Sequence, residues 1–196
     1  ALPGFVSLHF PVNGLHPASD TSDPDAYCPS SEIVGYADAY HRAVEGYREM
    51  ASYAEGAKVR ICVENIWSDF LLSPIEMRGF IDEIDSAYVR SYFDVGNVCP
   101  HGIPEQWIPI LGERIERVHF KDYIGNAQSL DCFVPLLSGR IDFQKIMRAL
   151  EGIGYDGWVT AEVNVNPQVP GYIAQITAKA LDDIFQLRGD TNGELF

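Results

Sequence analysis

Four acidic or imidazole side chains occupy the same position within successive apolar segments of the chain. The segments "VRICVE", "SYFDVG", "RVHFKD" and "WVTAEVN" carry Glu64, Asp94, His119 and Glu162, respectively. Three carboxylates and one imidazole are a ligand set that suits Mn²⁺ or Mg²⁺, with Co²⁺ and Zn²⁺ as alternatives. Each residue taken singly also fits a turn acid, a helix N-cap or a satisfied polar group. Their shared position favours one common site.

The electrostatic cost of such a cluster also favours a metal site. Carboxylates about 4 Å apart repel by roughly 4 kcal/mol per pair at an effective dielectric near 20. A fold that brings three of them together needs either protonation or a cation. We therefore favour a site for one divalent metal ion, with coordination positions left open for substrate oxygens.

The elements that must position these residues follow from an alternation of patterns. Apolar segments predict strands at 4–10, 59–64, 91–96, 117–122 and 158–164, and helical patterns lie between them. Strands that alternate with helices are typical of βα units and a parallel sheet. Successive candidate ligands are separated by 30, 25 and 43 residues. These intervals are the lengths of successive βα units in a TIM barrel, the last with an enlarged loop at 123–141.

Five strands are not the eight of a complete barrel, which needs roughly 250 residues. The chain has 196 residues and begins on a strand without Met. We therefore predict a single domain, 1–196, that corresponds to strands four to eight, the C-terminal part of a partial TIM (β/α)8 barrel.

Helix signals support this order. Ser73, Pro74 and Glu76 form a capping box with proline at the first helical position, and Asp142 caps a second amphipathic segment. Pro104 opens a short helix, which Pro109 is expected to disturb.

Composition excludes some functions. The net charge of −14 disfavours nucleic acid as a partner, and no apolar stretch reaches the 18 residues of a membrane span. No signal peptide is visible, and the four cysteines are far apart without a CxxC motif, which favours reduced thiols and a cytoplasmic location. The sequence is compatible with a homo-oligomer.

The motifs "VENIW", "YFDVGN", "RVHFKD" and "GYDGWVTAE" together resemble the xylose-isomerase-like TIM barrels. Within them, the chain is similar to sugar or sugar-phosphate isomerases and ketose 3-epimerases, over residues 4–185. The resemblance implies that Glu64, Asp94, His119 and Glu162 bind the metal. It also implies that Glu64 and Glu162 are the catalytic acid/base pair and transfer a proton through a metal-stabilised enediolate.

Three further residues are candidates for substrate contacts. Asn97 stands where many relatives carry His, so it is a sugar-binding candidate and a poor metal ligand. His9 ends the first strand, and Trp67 offers an aromatic face to a sugar. The segment 11–30 has no helical periodicity and suits a lid.

The remaining polar residues receive weaker predictions. We expect Lys121 to point away from His119, and Asp122 to orient the site from behind the ligands. Residues 138–140, "SGR", are a weak candidate for phosphate binding ahead of a helix.

Three alternatives to an isomerase or epimerase remain at this point. A dehydratase of the inosose or dehydroshikimate type would use similar enolate chemistry on the same scaffold. An endonuclease at abasic sites is disfavoured by the net charge and by Asn97. An inactive fragment that lacks the first three βα units is the third alternative.

Overall fold

The computed structural model describes residues 5–8, 35–67, 70–164 and 167–187. It divides into two compact units, Ala1–Ser91 and Tyr92–Phe196, and the boundary falls inside one strand. The first unit contains β1 (Phe5–Leu8), α1 (Tyr36–Ala57), β2 (Arg60–Glu64), α2 (Pro74–Ile84) and the first half of β3 (Val89–Asp94).

The first unit contains two successive βα pairs, β1 with α1 and β2 with α2. Strands β1 and β2 run parallel, in a register from Phe5 opposite Arg60 to Leu8 opposite Val63. Tyr47 of α1 and Phe80 of α2 are completely buried, and their rings meet edge to face with centroids 5.5 Å apart. The predicted N-cap at Ser73 is confirmed, because the Ser73 side chain accepts a hydrogen bond from the Glu76 backbone N–H at 3.1 Å.

The second unit continues from β3 and carries most of the candidate ligands. Strands β4 and β7 run parallel, with His119 opposite Thr160 and Phe120 opposite Ala161. Helices α4 and α5 pack against each other. The elements after β3 are α3 (Val95–Val98), α4 (Pro104–Leu111), β4 (Ile115–Phe120), β5 (Asp122–Tyr123), β6 (Phe133–Val134), α5 (Phe143–Gly152), β7 (Trp158–Ala161) and α6 (Pro170–Gln186).

The predicted βα alternation is confirmed, with corrections at the strand boundaries. The strand expected at 91–96 instead ends at Asp94, because the Asp94 side chain caps α3 and residues 95–98 turn into a helix. Strands β4 and β7 end at Phe120 and Ala161, shorter than expected. Helix α4 starts at Pro104 as predicted and continues past Pro109 to Leu111.

Two other expectations from the sequence concern thiols and membranes. Among the described cysteines, Cys62, Cys99 and Cys132 are free thiols. In the described ranges, no helix combines the length and apolar character that a bilayer crossing requires.

The enlarged loop at 123–141 has more structure than its sequence pattern indicated. Strands β5 and β6 pair antiparallel within it, with Asp122 opposite Val134. The completely buried Asp122 carboxylate fastens the loop: it accepts hydrogen bonds from the backbone N–H groups of Tyr123 (2.8 Å), Gly139 (2.8 Å) and Ile141 (3.3 Å).

Replacing this carboxylate should loosen the loop and destabilise the protein. Asp122→Ala leaves three backbone N–H groups without their acceptor, so we expect the free energy of unfolding to fall by about 3 kcal/mol. Urea unfolding measures the change. The matched control is Asp131→Ala, an exposed acid of the same loop, whose effect should stay within about 0.5 kcal/mol. Equal effects of the two variants would contradict the anchoring role of Asp122.

Candidate functional site

Three of the predicted ligands meet in the second unit. Nδ1 of His119 lies 3.6 Å from Oδ2 of Asp94 and 3.3 Å from Oε2 of Glu162. These three residues offer ligand atoms that lie within 4.8 Å of one another. Their convergence follows from the parallel strands, whose C-terminal ends share one edge of the sheet.

Asp94 is the most constrained member of the cluster. It is the last residue of β3, and its side chain is completely buried. Oδ1 accepts a hydrogen bond from the Asn97 backbone N–H at 2.8 Å, which caps α3. This bond fixes the rotamer of the side chain and turns Oδ2 towards His119, so one carboxylate both starts a helix and faces the site.

The ring of His119 is held by an aromatic neighbour. The Tyr92 ring lies against it, with centroids 3.8 Å apart and planes inclined by 35°. Tyr92 also contacts β7, because its hydroxyl donates a hydrogen bond to Oγ1 of Thr160 at 3.2 Å. The contact keeps Nδ1 directed at the carboxylates.

Glu162 differs from Asp94 in its exposure. It comes one residue after β7, and its backbone N–H donates to the Phe120 carbonyl at 3.0 Å, which extends the pairing of β4 with β7. Its side chain is 52% exposed, whereas that of Asp94 is completely buried. A small molecule that approaches the cluster can therefore reach the Glu162 carboxylate.

Lys121 also belongs to this cluster, so the expectation that it points away from His119 is wrong. Its Nζ lies 3.1 Å from Oδ2 of Asp94 and 3.1 Å from Oε2 of Glu162. Successive residues of extended chain alternate sides, so positions 119 and 121 share a face. That two-residue spacing was the signal available in the sequence.

The charge state of Lys121 reflects two opposing effects. Burial lowers its pKa, but the carboxylates of Asp94 and Glu162 outweigh burial and hold the pKa above its ordinary value. The cluster therefore contains an ammonium ion beside two carboxylates.

Gly96 allows α3 to approach Lys121 closely. A Cβ added at Gly96 would lie 2.5 Å from Cβ of Lys121 and 3.2 Å from the Phe133 ring. The first distance is too short for a side chain, and the second would require the Phe133 ring to move by a few tenths of an ångström. The absence of a side chain at this position thus brings the helix after Asp94 onto the strand that carries Lys121.

The other predicted site residues have different outcomes. Asn97 is buried in α3, and its Oδ1 accepts a hydrogen bond from Nζ of Lys121 at 3.3 Å. Glu64 is buried and is the last residue of β2 in the first unit. Trp67 is half-buried in the same unit. His9 and the segment 11–30 lie outside the described residues.

The structure gives Asp122 and the segment 138–140 contacts within the enlarged loop. The backbone N–H groups of Gly139, in that segment, and of Ile141, just after it, donate hydrogen bonds to Asp122. The hydrogen bonds of Asp122 accordingly hold the loop at 123–141.

The chemistry of the donor set fits a divalent cation. Asp94, His119 and Glu162 offer two carboxylates and one imidazole nitrogen, the ligand types that first-row divalent ions accept. The half-exposed Glu162 carboxylate is also accessible to a small molecule. The residues present are therefore suited to hold a metal that also contacts a small molecule.

A substitution at Gly96 should disturb the site through packing. Gly96→Ala forces α3 and Lys121 apart, so we expect the free energy of unfolding to fall by about 1–3 kcal/mol. Gly79→Ala is the matched control: Gly79 lies within α2, where an added Cβ meets nothing within 4 Å, and alanine favours the helix. Thermal and urea unfolding measure both changes. If Gly96→Ala were as stable as Gly79→Ala, the close approach would not be required.

Solved structures similar to this chain support the architecture. A D-psicose 3-epimerase from Clostridium cellulolyticum H10 aligns with a TM-score of 0.62 and 21% identity, over 81% of this chain and 59% of that one. The 3-keto-D-glucoside 4-epimerase YcjR from E. coli aligns with a TM-score of 0.66 and 17% identity, over 93% and 63%. The IolI protein with a bound zinc atom aligns with a TM-score of 0.70 and 17% identity, over 81% and 60%. At these identities the likeness concerns the fold.

Curated proteins with similar sequences are named dehydratases, whereas the solved structures above include epimerases. An inosose dehydratase from Serratia proteamaculans is 24% identical over 150 residues, which cover 66% of this chain and 49% of that protein. The chain thus spans about half the length of this relative. The model of the xylose isomerase-like TIM barrel matches residues 8–183. With its parallel βα units, the chain belongs to the xylose isomerase-like TIM barrel family.

Proposed function

We propose that this chain carries the metal centre of a divalent-metal-dependent isomerase or epimerase that acts on a sugar or sugar phosphate. The observation that supports the proposal most strongly is the meeting of Asp94, His119 and Glu162 at the ends of three strands. Several fold neighbours are named as epimerases of ketoses or keto sugars. We propose Mn²⁺ or Mg²⁺ as the ion, with Co²⁺ or Zn²⁺ as alternatives, in agreement with this donor set.

Glu64 is proposed as the fourth ligand and as the partner of Glu162 in proton transfer. It ends β2 in the way that Asp94 ends β3, and it is buried although acidic. A buried carboxylate at a strand end is costly unless a positive group compensates it. The motif "VENIW" also resembles the corresponding part of the family.

The proposed reaction assigns different tasks to the two glutamates. Glu162 is exposed enough to take a proton from the carbon beside a substrate carbonyl, and Glu64 returns a proton to the opposite face in an epimerisation. In an isomerisation, the proton goes to the neighbouring carbon. A divalent ion held by Asp94, His119 and Glu162 would supply electrostatic stabilisation of the negative charge that develops on the substrate oxygens.

Substrate contacts are proposed for Asn97, Trp67 and His9. Asn97 is buried beside Lys121, and its amide group can donate or accept hydrogen bonds with a sugar hydroxyl. Trp67 offers a half-buried aromatic face of the kind that covers the apolar face of a sugar.

A dehydratase is the second candidate, and the curated relatives favour it. Proteins from Serratia proteamaculans and Yersinia enterocolitica that match at 24% and 25% identity are named inosose dehydratase. The same residues would remove the proton, but the enediolate would then lose the hydroxyl group on the neighbouring carbon, which would leave as water with a proton from one of the two glutamates. Incubation with ketoses and with an inosose separates the two: an epimer or isomer of equal mass supports the first candidate, and loss of water supports the second.

Metal binding at the cluster can be tested without a substrate. Mn²⁺ at about 100 times its dissociation constant should stabilise the protein by about 2.7 kcal/mol, seen as a raised melting temperature. Asp94→Asn should abolish this shift, because it removes a buried anionic ligand. Asp142→Asn is the matched control, since Asp142 also caps a helix but lies outside the cluster; its shift should persist. A shift retained in Asp94→Asn would contradict the proposed centre.

The role of Glu162 predicts a loss of turnover without a loss of fold. Glu162→Gln keeps the size of the side chain but removes the base, so we expect activity with the identified substrate to fall at least about 100-fold. Circular dichroism and unfolding curves should remain close to those of the unaltered protein. Glu151→Gln, an exposed change on α5, is the control. A Glu162→Gln variant that keeps most of its activity would rule out the acid/base assignment.

A further inference from the structure

The ammonium of Lys121 contacts the same oxygen atoms that a metal ion at this centre would use. Its Nζ lies 3.1 Å from Oδ2 of Asp94 and 3.1 Å from Oε2 of Glu162. Nδ1 of His119 faces those two oxygens at 3.6 and 3.3 Å. One cationic side chain thus interacts with two of the proposed ligand atoms.

The position of the ammonium is fixed by several contacts. The Lys121 side chain is 11% exposed, and Nζ also donates a hydrogen bond to Oδ1 of Asn97 at 3.3 Å. On another side Nζ lies 4.9 Å from the centroid of the Phe133 ring, within the range of a cation–π interaction. The close approach of Gly96 restricts the stem of the side chain. The lysine is therefore held in the cluster.

We propose that Lys121 competes with the divalent cation for Oδ2 of Asp94 and Oε2 of Glu162, and so sets how tightly the metal is held. The inference rests on the proposed metal-dependent function. A cation that binds these oxygens must either displace the ammonium or accept a like charge beside it, and both weaken binding. Asn97 and the Phe133 ring would remain as partners of a displaced ammonium.

The same contacts give Lys121 a second effect. Without a metal, the ammonium is a counter-charge for the completely buried Asp94, and it keeps the carboxylates oriented towards one point. Removal of the Lys121 ammonium should therefore lower the stability of the metal-free protein and, at the same time, raise its affinity for the metal. These opposite signs separate a competing cation from a lysine that merely supports the fold.

The test compares Mn²⁺ binding to the unaltered protein, to Lys121→Met and to Lys145→Met by titration calorimetry. Methionine replaces the apolar stem of lysine with an unbranched chain one atom shorter and removes the charge. We expect Lys121→Met to bind Mn²⁺ about tenfold more tightly and to melt at a lower temperature without metal. Lys145→Met removes an exposed lysine that pairs with Asp142 across 3.7 Å. It should bind Mn²⁺ like the unaltered protein, because solvent and salt screen that charge.

The outcomes distinguish this inference from the proposed function. If the unaltered protein binds no Mn²⁺, the metal-dependent function fails and the inference fails with it. If the unaltered protein binds Mn²⁺ and Lys121→Met binds it equally or less tightly, the competition is overturned while the metal centre stands. Lys121→Gln, which keeps a donor for Asn97, provides the same comparison should Lys121→Met fold poorly.

Discussion

The repulsion between carboxylates at neighbouring strand ends is the constraint on which the site depends. Two carboxylates about 4 Å apart cost roughly 4 kcal/mol at an effective dielectric near 20, and burial makes the cost larger. Asp94 is completely buried, so solvent does little to screen it. A positive charge relieves this repulsion, and Lys121 supplies one at 3.1 Å from each acid. A divalent ion would supply two, which is why the two cations are expected to exchange.

The strands satisfy this constraint through the alternation of their side chains. In β3, Tyr92 and Asp94 face the site, whereas Phe93 between them stacks on Trp107 of α4. In β4, His119 faces the site, and Phe120 packs against Phe143 of α5 with centroids 5.2 Å apart. Burial of the apolar residues thus fixes the register that brings the polar residues together.

Much of the site could be predicted from the sequence, because strand ends are local features. Asp94, His119 and Glu162 follow from the position at which apolar runs stop, and parallel βα units bring such positions to one edge. Lys121 was placed wrongly, although the two-residue period puts it on the same face as His119. The Lys121 ammonium reaches the acids because Gly96 allows α3 to lie against the Lys121 side chain. Gly96 and Lys121 are 25 residues apart in the chain, so this contact is not visible in a local sequence pattern.

The parts that could not be predicted depend on contacts between distant residues. The end of β3 is set by the bond from the Asp94 side chain to the Asn97 N–H, which turns the chain into α3. The pairing of β5 with β6 depends on Asp122, whose bonds reach to Gly139 and Ile141. Neither segment has an apolar periodicity long enough to indicate its structure.

We propose that Asp94, His119 and Glu162 hold a divalent ion at the strand ends. A crystal structure of the protein grown with Mn²⁺, with anomalous differences recorded near the manganese absorption edge, tests it directly. We expect one strong anomalous peak within coordination distance of Oδ2 of Asp94, a ring nitrogen of His119 and a carboxylate oxygen of Glu162, with Nζ of Lys121 withdrawn from the two acids. An ordered cluster without a peak, or with Mn²⁺ bound only elsewhere, would contradict a metal centre formed by these three residues.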